Sequence, residues 1–538
     1  MAALSDGVSR SITFTYNSAG LVSSATDPAG HTVSYGYDSA GNLTSVTNQA
    51  GGVWKFGYDG SHQMTSETDP NGNTTTTGYD SSNRVVSQSD QMDRTRTWAY
   101  SIPRTGETET VIKNPNGAVT DETFAQSHEP LQITRAEGSS VAATQTFDYD
   151  DHDLLISSTD GDGNTWSYVY DASGDRTSTT DPLGNTTSWT YDGQRDVTSV
   201  TTPLGHVTNI TYDGNGDPTS VSRTLTETGQ TQKTSYEYDA AGDLTSVIGP
   251  SSHTTTYTYN GYGDRTSATD AAGNETTYTY DALGRQVSMV APAGNATGAN
   301  PAQHTTTYGY GNLGDLTSVT DPLGHTTTYT YDADQNLTAK TDADSHTTSY
   351  SYDGDNELTT VTRADGTRLT STYDSDGNVT GQTDGLGHTA SYSYDALNRL
   401  FEVIDPLSRK SSYTYDADGN RTSLTDPEGR TTSYGYDADS ELTSIGYSDG
   451  KTPGVSYTYN ADGRRTSMSD GTGATSYAYD SLGRLTGTSD GAGNTVGYGY
   501  DLAGNVTSIT YPNGKTVSRT FDPDERLASV SDWLGNTT

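Results

Sequence analysis

The sequence predicts an all-β protein, built from tandem β-hairpins of about 21 residues that form one long, spiralling antiparallel sheet. The first observation is a Tyr-Asp pair, or a relaxed copy of it, that recurs at 24 anchors from Tyr16 to Phe521, with 17 of the 23 intervals equal to 21 residues. The second is that each interval holds two turn signals and two strand-length runs rich in Thr and aromatic residues. Because one such unit cannot bury a core alone, the units must stack.

The composition by itself is typical of a disordered chain, since aliphatic residues are scarce and 29 basic against 69 acidic residues give a net charge of −40. The 39 Tyr residues supply large amphipathic side chains, and Thr, which is at home in strands, fills many other positions. Their periodic placement favours ordered β structure over disorder.

One interval, from Tyr170 to Tyr191, shows why each repeat is a hairpin. Residues 181–185 read Asp-Pro-Leu-Gly-Asn, where Asp bonds its own backbone, Pro presets φ and Gly or Asn accepts a positive φ. Residues 171–175 form the turn at the other end. Between the turns, Arg176–Thr180 and Thr186–Tyr191 have strand length and strand composition.

A turn at 181–185 makes Thr180 oppose Thr186 and Thr179 oppose Thr187, and alternation then divides the side chains between two faces. We expect Ser and Thr on one face, which begins with a Leu or Arg. We expect the more apolar face to line up its aromatic residues in ladders worth on the order of 10 kcal/mol in total, so that the sheet needs no conventional core. The apolar face is predicted to hold Thr177, Thr179, Thr187, Trp189 and Tyr191 in this repeat, and Thr44, Val46, Phe56 and Tyr58 in another.

The most repeated residues are expected to have structural roles, the Tyr in the apolar face and the Asp at the opening of a turn. They are Tyr37, Asp38, Tyr170, Asp171, Tyr191, Asp192, Tyr280, Asp281, Tyr331, Asp332, Tyr394, Asp395, Tyr415, Asp416, Tyr500 and Asp501 at the anchors, and Asp181, Pro182, Gly184, Asp321, Pro322 and Gly324 in the second turn.

Departures from the period divide the chain into three parts. Residues 1–100 and 149–538 are regular repeats, and 101–148 are degenerate repeats or a seam between two sub-arrays. Insertions lie near 223–232 and 296–304. Such insertions map to loops, which arise either by neutral growth or as parts of a binding face.

No enzyme signature, catalytic residue or cofactor site is predicted. Residues 446–450 match the G-x-S-x-G pattern around Ser448, but that pattern needs a strand-to-helix turn and no helix is predicted. No Ser, His and Asp set stands out from the repeats.

Metal sites are not predicted either. Five His residues occupy one turn offset that we expect to face water: His31, His206, His325, His346 and His388. The segment from Asp416 to Asn420 resembles the opening of a calcium loop, but Arg421 and Pro427 stand where an EF-hand needs Gly and Glu. Weak calcium binding by acidic turns, such as the one with Asp160 and Asp162, is left as an alternative.

The charge and the hydropathy pattern limit the partners. An acidic surface repels nucleic acid and anionic membranes. No apolar run approaches the roughly 18 residues of a membrane span, and residues 1–11 contain no apolar signal-peptide segment. The absence of Cys excludes disulfides and thiol nucleophiles.

The repeat unit resembles the Rhs/YD repeat, as in Tyr280-Asp281 with Gly284-Arg285 and Asp321-Pro322 with Gly324-His325. That family includes bacterial Rhs and contact-dependent toxins, insecticidal toxin-complex components and teneurins. The resemblance implies a sheet that spirals into a hollow YD shell, here with an open or incomplete shell as an alternative. In the toxins the shell encloses a C-terminal toxic domain, often released by self-cleavage, and in teneurins it is a surface scaffold used in adhesion.

The family's core motif is not recognisable, and the chain begins and ends inside a repeat, at Asp6-Gly7 and at the turn 532–536. We therefore expect a piece of a longer protein that lacks the core motif and the toxin. The first expected function is a passive shell segment of a secreted or surface protein that encloses or presents a toxin or effector domain. The alternative is a cell-surface adhesion or carbohydrate-binding module whose partner is a cell-surface glycan or protein. Both imply an extracellular or cell-surface location.

Overall fold

The computed structural model describes residues 2–5 and 10–538, so the turn expected at Asp6-Gly7 lies outside the described residues. In the described part, 49 strands form one antiparallel sheet, and each strand pairs with the strands next to it in sequence. The all-β hairpin array that the sequence predicts is confirmed.

The strands before the 296–304 insertion are β1 (Ala2–Ser5), β2 (Ser11–Tyr16), β3 (Val22–Thr26), β4 (Thr32–Tyr37), β5 (Leu43–Thr47), β6 (Val53–Tyr58), β7 (Met64–Thr68), β8 (Thr74–Tyr79), β9 (Val85–Ser89), β10 (Thr95–Ser101), β11 (Glu107–Lys113), β12 (Val119–Ala125), β13 (Pro130–Arg135), β14 (Ala143–Tyr149), β15 (Leu155–Thr159), β16 (Thr165–Tyr170), β17 (Arg176–Thr180), β18 (Thr186–Tyr191), β19 (Val197–Thr201), β20 (Val207–Tyr212), β21 (Pro218–Thr224), β22 (Thr231–Tyr238), β23 (Leu244–Ile248), β24 (Thr254–Tyr259), β25 (Arg265–Thr269), β26 (Glu275–Tyr280) and β27 (Gln286–Val290).

A four-residue helix α1 (Pro292–Asn295) and a 3₁₀ turn (Pro301–His304) follow. The remaining strands are β28 (Thr305–Tyr310), β29 (Leu316–Thr320), β30 (Thr326–Tyr331), β31 (Leu337–Thr341), β32 (Thr347–Tyr352), β33 (Leu358–Thr362), β34 (Arg368–Tyr373), β35 (Val379–Thr383), β36 (Thr389–Tyr394), β37 (Leu400–Ile404), β38 (Lys410–Tyr415), β39 (Arg421–Thr425), β40 (Thr431–Tyr436), β41 (Leu442–Tyr447), β42 (Val455–Tyr459), β43 (Arg465–Asp470), β44 (Gly473–Tyr479), β45 (Leu485–Ser489), β46 (Thr495–Tyr500), β47 (Val506–Thr510), β48 (Thr516–Phe521) and β49 (Leu527–Ser531).

The hairpin register predicted for the repeat at 170–191 is confirmed near its turn. Thr180 pairs with Thr186 and Thr179 with Thr187, as the sequence indicates. The turn is closed by the Asp181 N–H, which donates to the Asn185 carbonyl over 3.0 Å. Gly184 has a φ of +89°, so its missing Cβ is what permits this tight turn.

The assignment of side chains to faces is wrong at the start of each short strand, because a β-bulge lies there. Tyr170 pairs with Arg176 and Val169 with Ser178, which leaves Thr177 without a partner across the strands. Alternation is therefore broken at Thr177, and Arg176 moves to the aromatic face, where its guanidinium lies over the Trp189 ring. The prediction for Thr44 fails in the same way, since Tyr37 pairs with Leu43 and Gly36 with Ser45.

The predicted aromatic ladder is also wrong. Each aromatic strand is separated from the next by a short strand, so the rings face side chains that are not aromatic: Val46, for instance, pairs with both Tyr35 and Trp54. Arg265 lies between the rings of Tyr257 and Tyr278, with centroids 5.4 and 5.2 Å away. Within residues 2–5 and 10–538, the one ring-on-ring contact is an edge-to-face pair.

The sheet is a single layer without a conventional core, as expected. Among the described residues, no side chain is less than 2% exposed, and the buried apolar residues are four: Ala136, Ala143, Leu225 and Leu482. The other large apolar side chains are half-buried within the sheet or exposed, like Leu323 at 81% and Leu386 at 83% in the turns.

The sheet is a long ribbon with turns along both edges. It coils on itself, so that the turns of one edge meet the turns of the other edge one coil later. We call the turns from odd- to even-numbered strands DP turns, and those from even- to odd-numbered strands YD turns. DP turns of the first coil contact YD turns of the second coil, at sequence separations from 252 to 282 residues. The turn after β15, for instance, meets the turn after β38, so that one coil contains 23 strands.

The spacing of strands fixes the width of the coil. At about 4.8 Å per strand, 23 strands give a circumference of about 110 Å and, for a circular coil, a diameter of about 35 Å. A flattened coil would pack two faces together and bury a core, which the low burial excludes for the described residues. The ribbon therefore surrounds an open space.

The irregular parts of the sequence do not interrupt the sheet. In 101–148 the strands β11, β12 and β14 lengthen to seven residues. The insertion near 223–232 lengthens the hairpin of β21 and β22. The insertion near 296–304 adds α1 and the 3₁₀ turn, and the Asn295 amide donates to the Glu275 carbonyl over 2.8 Å.

Candidate functional site: the seam between the coils

Most turns are organised by the Asp or Asn at their first position. In the turn after Tyr37, Oδ1 of Asp38 accepts from the N–H groups of Ala40 and Asn42, each over 2.9 Å, and Oδ2 accepts from the Asn42 amide over 2.8 Å. These bonds, the Asn42 amide first, lower the pKa of Asp38. The same Oδ1 bond to the N–H four residues ahead is formed by Asp171, Asp181, Asp192, Asp281, Asp321, Asp332, Asp395, Asp416 and Asp501.

The anchor Tyr completes the bulge. The Tyr415 hydroxyl donates to the Leu400 carbonyl over 2.7 Å, at the first residue of the neighbouring short strand. Burial raises the pKa of this phenol. The same bond to a residue 15 positions earlier is made by Tyr37, Tyr191, Tyr280, Tyr331 and Tyr500. Tyr170 and Tyr394 end β16 and β36, and burial raises the pKa of both.

Replacing Tyr415 by Phe is expected to cost about 0.5–1.5 kcal/mol, because it removes one hydrogen bond and leaves the Leu400 carbonyl without its donor. Chemical denaturation followed by tryptophan fluorescence measures this change. Tyr413→Phe is the control, because Tyr413 lies in the same strand as Tyr415 and its ring lies under the Arg421 guanidinium. An equal loss in both variants would contradict the assigned role of the Tyr415 hydroxyl.

The turns meet along a seam that runs the length of the first coil. The facing residues are Arg10 and Asp264, Gln49 and Asn312, Asp69 and Asp334, Arg94 and Glu357, Asn116 and Asp376, Gly161 and Asp418, Asp181 and Asp439, Leu204 and Asp462, Glu227 and Ser481, Gln232 and Leu502, and Ala272 and Asp524.

Arg94 is the most heavily bonded cation of the seam. Its guanidinium pairs with Asp90 in its own turn and with Asp355 and Glu357 in the next coil, and its side chain is 13% exposed. It also donates to the Asp374 carbonyl over 3.3 Å. One side chain therefore joins three turns.

Asp462 has a similar role from the second coil. Its side chain is 3% exposed and accepts from the Leu204 N–H and the Thr202 hydroxyl, both over 3.1 Å. Burial raises its pKa, but these bonds, together with those from His206 and Arg464, outweigh that effect and lower it.

The insertion near 223–232 also belongs to the seam. Its tip brings Glu227 to Ser481, whose hydroxyl donates over 2.8 Å, and Ser481 Oγ accepts from the Thr226 N–H. The adjacent Leu225 and Leu482 are 6% and 7% exposed. This insertion is thus a contact between coils, which neither interpretation of the sequence anticipated.

At three positions of the seam a carboxyl group faces another carboxyl group. Burial, followed by Asp69, raises the pKa of Asp334 to about 6. Burial and Asp160 raise that of Asp418 to about 6. Burial and Asp181 raise that of Asp439 to about 6. Beside the last pair, burial and Asp437 raise the pKa of Glu441 to about 7.

The other candidate residues lie in ordinary turns. Ser448 follows β41, and its Oγ accepts from the Thr431 N–H over 2.7 Å. His325, His346 and His388 are exposed and face the first Asp of their turns, as expected for turn positions. His31 and His206 are instead largely covered, with 24% and 21% exposure.

No group of three or more His, Asp or Glu side chains is arranged to hold a metal ion in residues 2–5 and 10–538. In the same part of the chain no helix has the length and apolar character needed to cross a membrane.

Comparison with protein families and curated proteins gives two matches, both to families. The RHS Repeat family matches residues 16–53, 37–75, 149–186, 170–207, 212–254, 238–275, 259–296, 312–344, 331–368, 373–410, 400–431 and 415–452. The Teneurin YD-shell family matches residues 449–532. No curated protein matches the sequence.

The fold is similar to solved toxin-complex structures. A crystal structure of TcdB2-TccC3 matches 96% of this chain with a TM-score of 0.73 at 15% identity. A Tc holotoxin pore from Photorhabdus luminescens matches 97% with a TM-score of 0.50 at 14% identity. The chain spans about a third of the length of these chains, 34% in both cases. Since the family matches cover most of the chain, and since its hairpins coil as these structures do, the chain belongs to the RHS-repeat family and has the YD-shell fold.

Proposed function

We propose that this chain is a wall segment of a shell that encloses a toxin or effector domain of a secreted or surface protein, without catalysis of its own. The observation that carries the proposal is the closed seam. A single-layer ribbon whose edges meet at eleven places around one coil separates an inside from an outside. The similarity to TcdB2-TccC3 supports the same function through the fold.

The width of the coil limits the state of any cargo. Side chains on the inner wall take about 5 Å on each side, which leaves about 25 Å of the roughly 35 Å diameter. A compact domain of 100 residues has a radius of gyration of about 13 Å and is therefore about 33 Å across. Of all outlines with this circumference, a circle admits the largest sphere. A cargo inside this segment is therefore either smaller than 100 residues or not compactly folded.

Electron microscopy of the purified chain tests the shell. We expect particles with a lumen about 25 Å wide, as the strand count requires. A solid particle without a lumen would contradict the proposal.

A cargo assay tests enclosure directly. A reporter enzyme of about 100 residues, fused after Thr538, is expected to be protected from protease and inactive, because the lumen is narrower than its fold. Unfolding of the shell followed by refolding of the reporter should restore activity. Fusion of the same reporter to residues 16–207, which are too few for one full coil, is the control. Protection and inactivity in that fusion as well would contradict enclosure.

Adhesion through a cell-surface glycan or protein is the second candidate. The observation that favours it is the insertion near 296–304, where residues 296–298 are exposed beside the anchored α1. Binding to a glycan array that disappears when 296–304 are deleted would support adhesion. Binding that survives the deletion would show that this loop is not the site.

A further inference from the structure

The three carboxyl pairs of the seam occupy equivalent places. In each pair the first Asp of a DP turn in the first coil faces the third residue of a YD turn in the second coil. Asp69 faces Asp334, Asp160 faces Asp418, whose carboxylate accepts from the turn that Asp160 opens, and Asp181 and Asp439 line one cavity. Two carboxylates accept hydrogen bonds but donate none, so a direct bond between them requires a proton.

The buried atoms point to that proton. Oδ2 of Asp334 and Oδ1 of Asp439 are inaccessible to water and have no donor partner. An unpartnered buried carboxylate oxygen is costly, whereas a shared proton satisfies both oxygens.

The groups that surround each pair are mostly acidic. Asp332 faces Asp334, and the Asn71 N–H is the donor nearby. Asp162 faces Asp418, which accepts from the Gly161 N–H over 2.9 Å and from the Asn164 amide over 3.4 Å.

The third pair has the most crowded surroundings. Asp437 and Glu441 face Asp439 and Asp181. Arg464 lines the same cavity from the next turn, but it pairs with Asp462 over 2.9 Å. In the part of the chain that the structure describes, no pair therefore has a cation of its own.

The neighbouring seam contacts have donors of their own. Arg94 pairs with Asp355 and Glu357, and Asp462 accepts from Leu204 and Thr202. At the end of the seam Asp524 accepts from the Ala272 N–H over 3.0 Å. These contacts hold the coils together on either side of the carboxyl pairs.

We propose that the seam is a proton-operated latch: protons shared by the facing carboxyl groups close it in mildly acidic solution, and their loss at neutral pH loosens it at the three pairs. Contacts such as those of Arg94 and Asp462 keep the coils attached, so the change is a local opening rather than an unravelling of the shell. The latch is independent of any cargo.

The direction of the pH dependence follows from the raised pKa values. In an open seam these Asp residues have a pKa near 3.8, and in the closed seam near 6. Between these values the closed state binds more protons, so a rise in pH favours the open state, and the loss is complete above pH 6–7. A shift of about two units at one pair corresponds to about a hundredfold in the equilibrium between the closed and open seam.

The chain contains no Cys, so two introduced cysteines give a clean distance measurement. Leu183→Cys and Ser440→Cys place spin labels on the two turns that hold Asp181 and Asp439, and both side chains are exposed. With EDTA present, double electron–electron resonance is expected to show one short distance between the two labels at pH 5. A longer, broader distribution is expected at pH 8, with a midpoint near pH 6.

Two variant sets, each with three charges removed, complete the test. In Asp334→Asn, Asp418→Asn and Asp439→Asn together, the amide donates the bond without a proton from solution, so the short distance should persist at pH 8. The control set is Asp151→Asn, Asp153→Asn and Asp344→Asn, three exposed residues, and it should open as the unmodified chain does. A distance that does not change between pH 5 and 8 would overturn the latch. So would equal effects of both sets, or a seam that is closed at pH 8 until EDTA is added, which would assign the pairs to a divalent cation.

Discussion

Replacing Arg94 by alanine is expected to lower the free energy of unfolding by about 3–5 kcal/mol, the cost of removing one partner from a buried ion pair. Its guanidinium is the cation shared by Asp90, Asp355 and Glu357, whose side chains are largely covered. Without it, three carboxylates from two coils are left close together. Native-state hydrogen exchange should therefore show lost protection at the first coil in β9 and β10 and at the second coil in β33.

Arg84→Ala is the matched control for this prediction. Arg84 has the same position in its turn, but it is 49% exposed, and its ion pair with Asp80 and its contact with the Tyr100 ring both lie within the first coil. Exposed pairs of this kind contribute about 0–1 kcal/mol. Comparable losses from both substitutions, or exchange confined to the first coil in Arg94→Ala, would show that Arg94 does not join the coils.

Replacing Leu482 by alanine is the second large effect, with an expected loss of about 2–5 kcal/mol from the cavity and the lost apolar contact. Leu482 is 7% exposed in a sheet with few buried side chains, and it follows Ser481, which bonds the tip of the 223–232 insertion. We expect this variant to expose the tip, so that limited proteolysis cuts the chain near Glu227. Urea denaturation gives the size of the loss.

Leu407→Ala provides the comparison, because Leu407 occupies the third position of a DP turn and is 73% exposed. A surface substitution of this kind changes stability by about 0.5 kcal/mol or less. If Leu482→Ala changes the stability as little as Leu407→Ala does and leaves the chain near Glu227 resistant to protease, the insertion does not hold the second coil through this contact.

Much of the hairpin was predictable from local sequence. Asp, Pro and Gly at 181, 182 and 184 dictate a tight turn, and the turn fixes the register of the strands beside it. The bounds of β17 and β18 agree with the sequence prediction for that reason. Neither the turn nor this register depends on residues outside the repeat.

The bulge had a signal that period-two reasoning overlooked. In the short strands the apolar residues stand at the first and fourth positions, as in Leu43 and Val46, with Thr44 and Ser45 between them. Simple alternation never places the first and fourth residues on one face, but a bulge between them does. The aromatic ladder was wrong for a related reason, since a short strand always separates two aromatic ones.

The seam was beyond local reasoning. Asp69, Asp160 and Asp181 open their turns with the same chemistry as Asp321, and the sequence around them does not say which are covered. Whether a turn is covered depends on how many strands complete a coil. That number, 23, is set by the sum of the small twists between neighbouring strands. A signal did exist in the acidic third residue of several YD turns, at 334, 355, 376, 418 and 439, each of which faces the other coil.

The meander order of the strands has a consequence for how the chain folds. Each strand pairs with its neighbour in sequence, so nearly all contacts form between residues fewer than 30 positions apart, and hairpins of this size form within about 1–10 μs. The seam is the exception, because Ala272 must wait for Asp524, 252 residues later. Folding can therefore advance along the chain as it emerges, one hairpin at a time. The seam contacts are expected to form in a separate, slower phase, one full coil after the hairpins that they join.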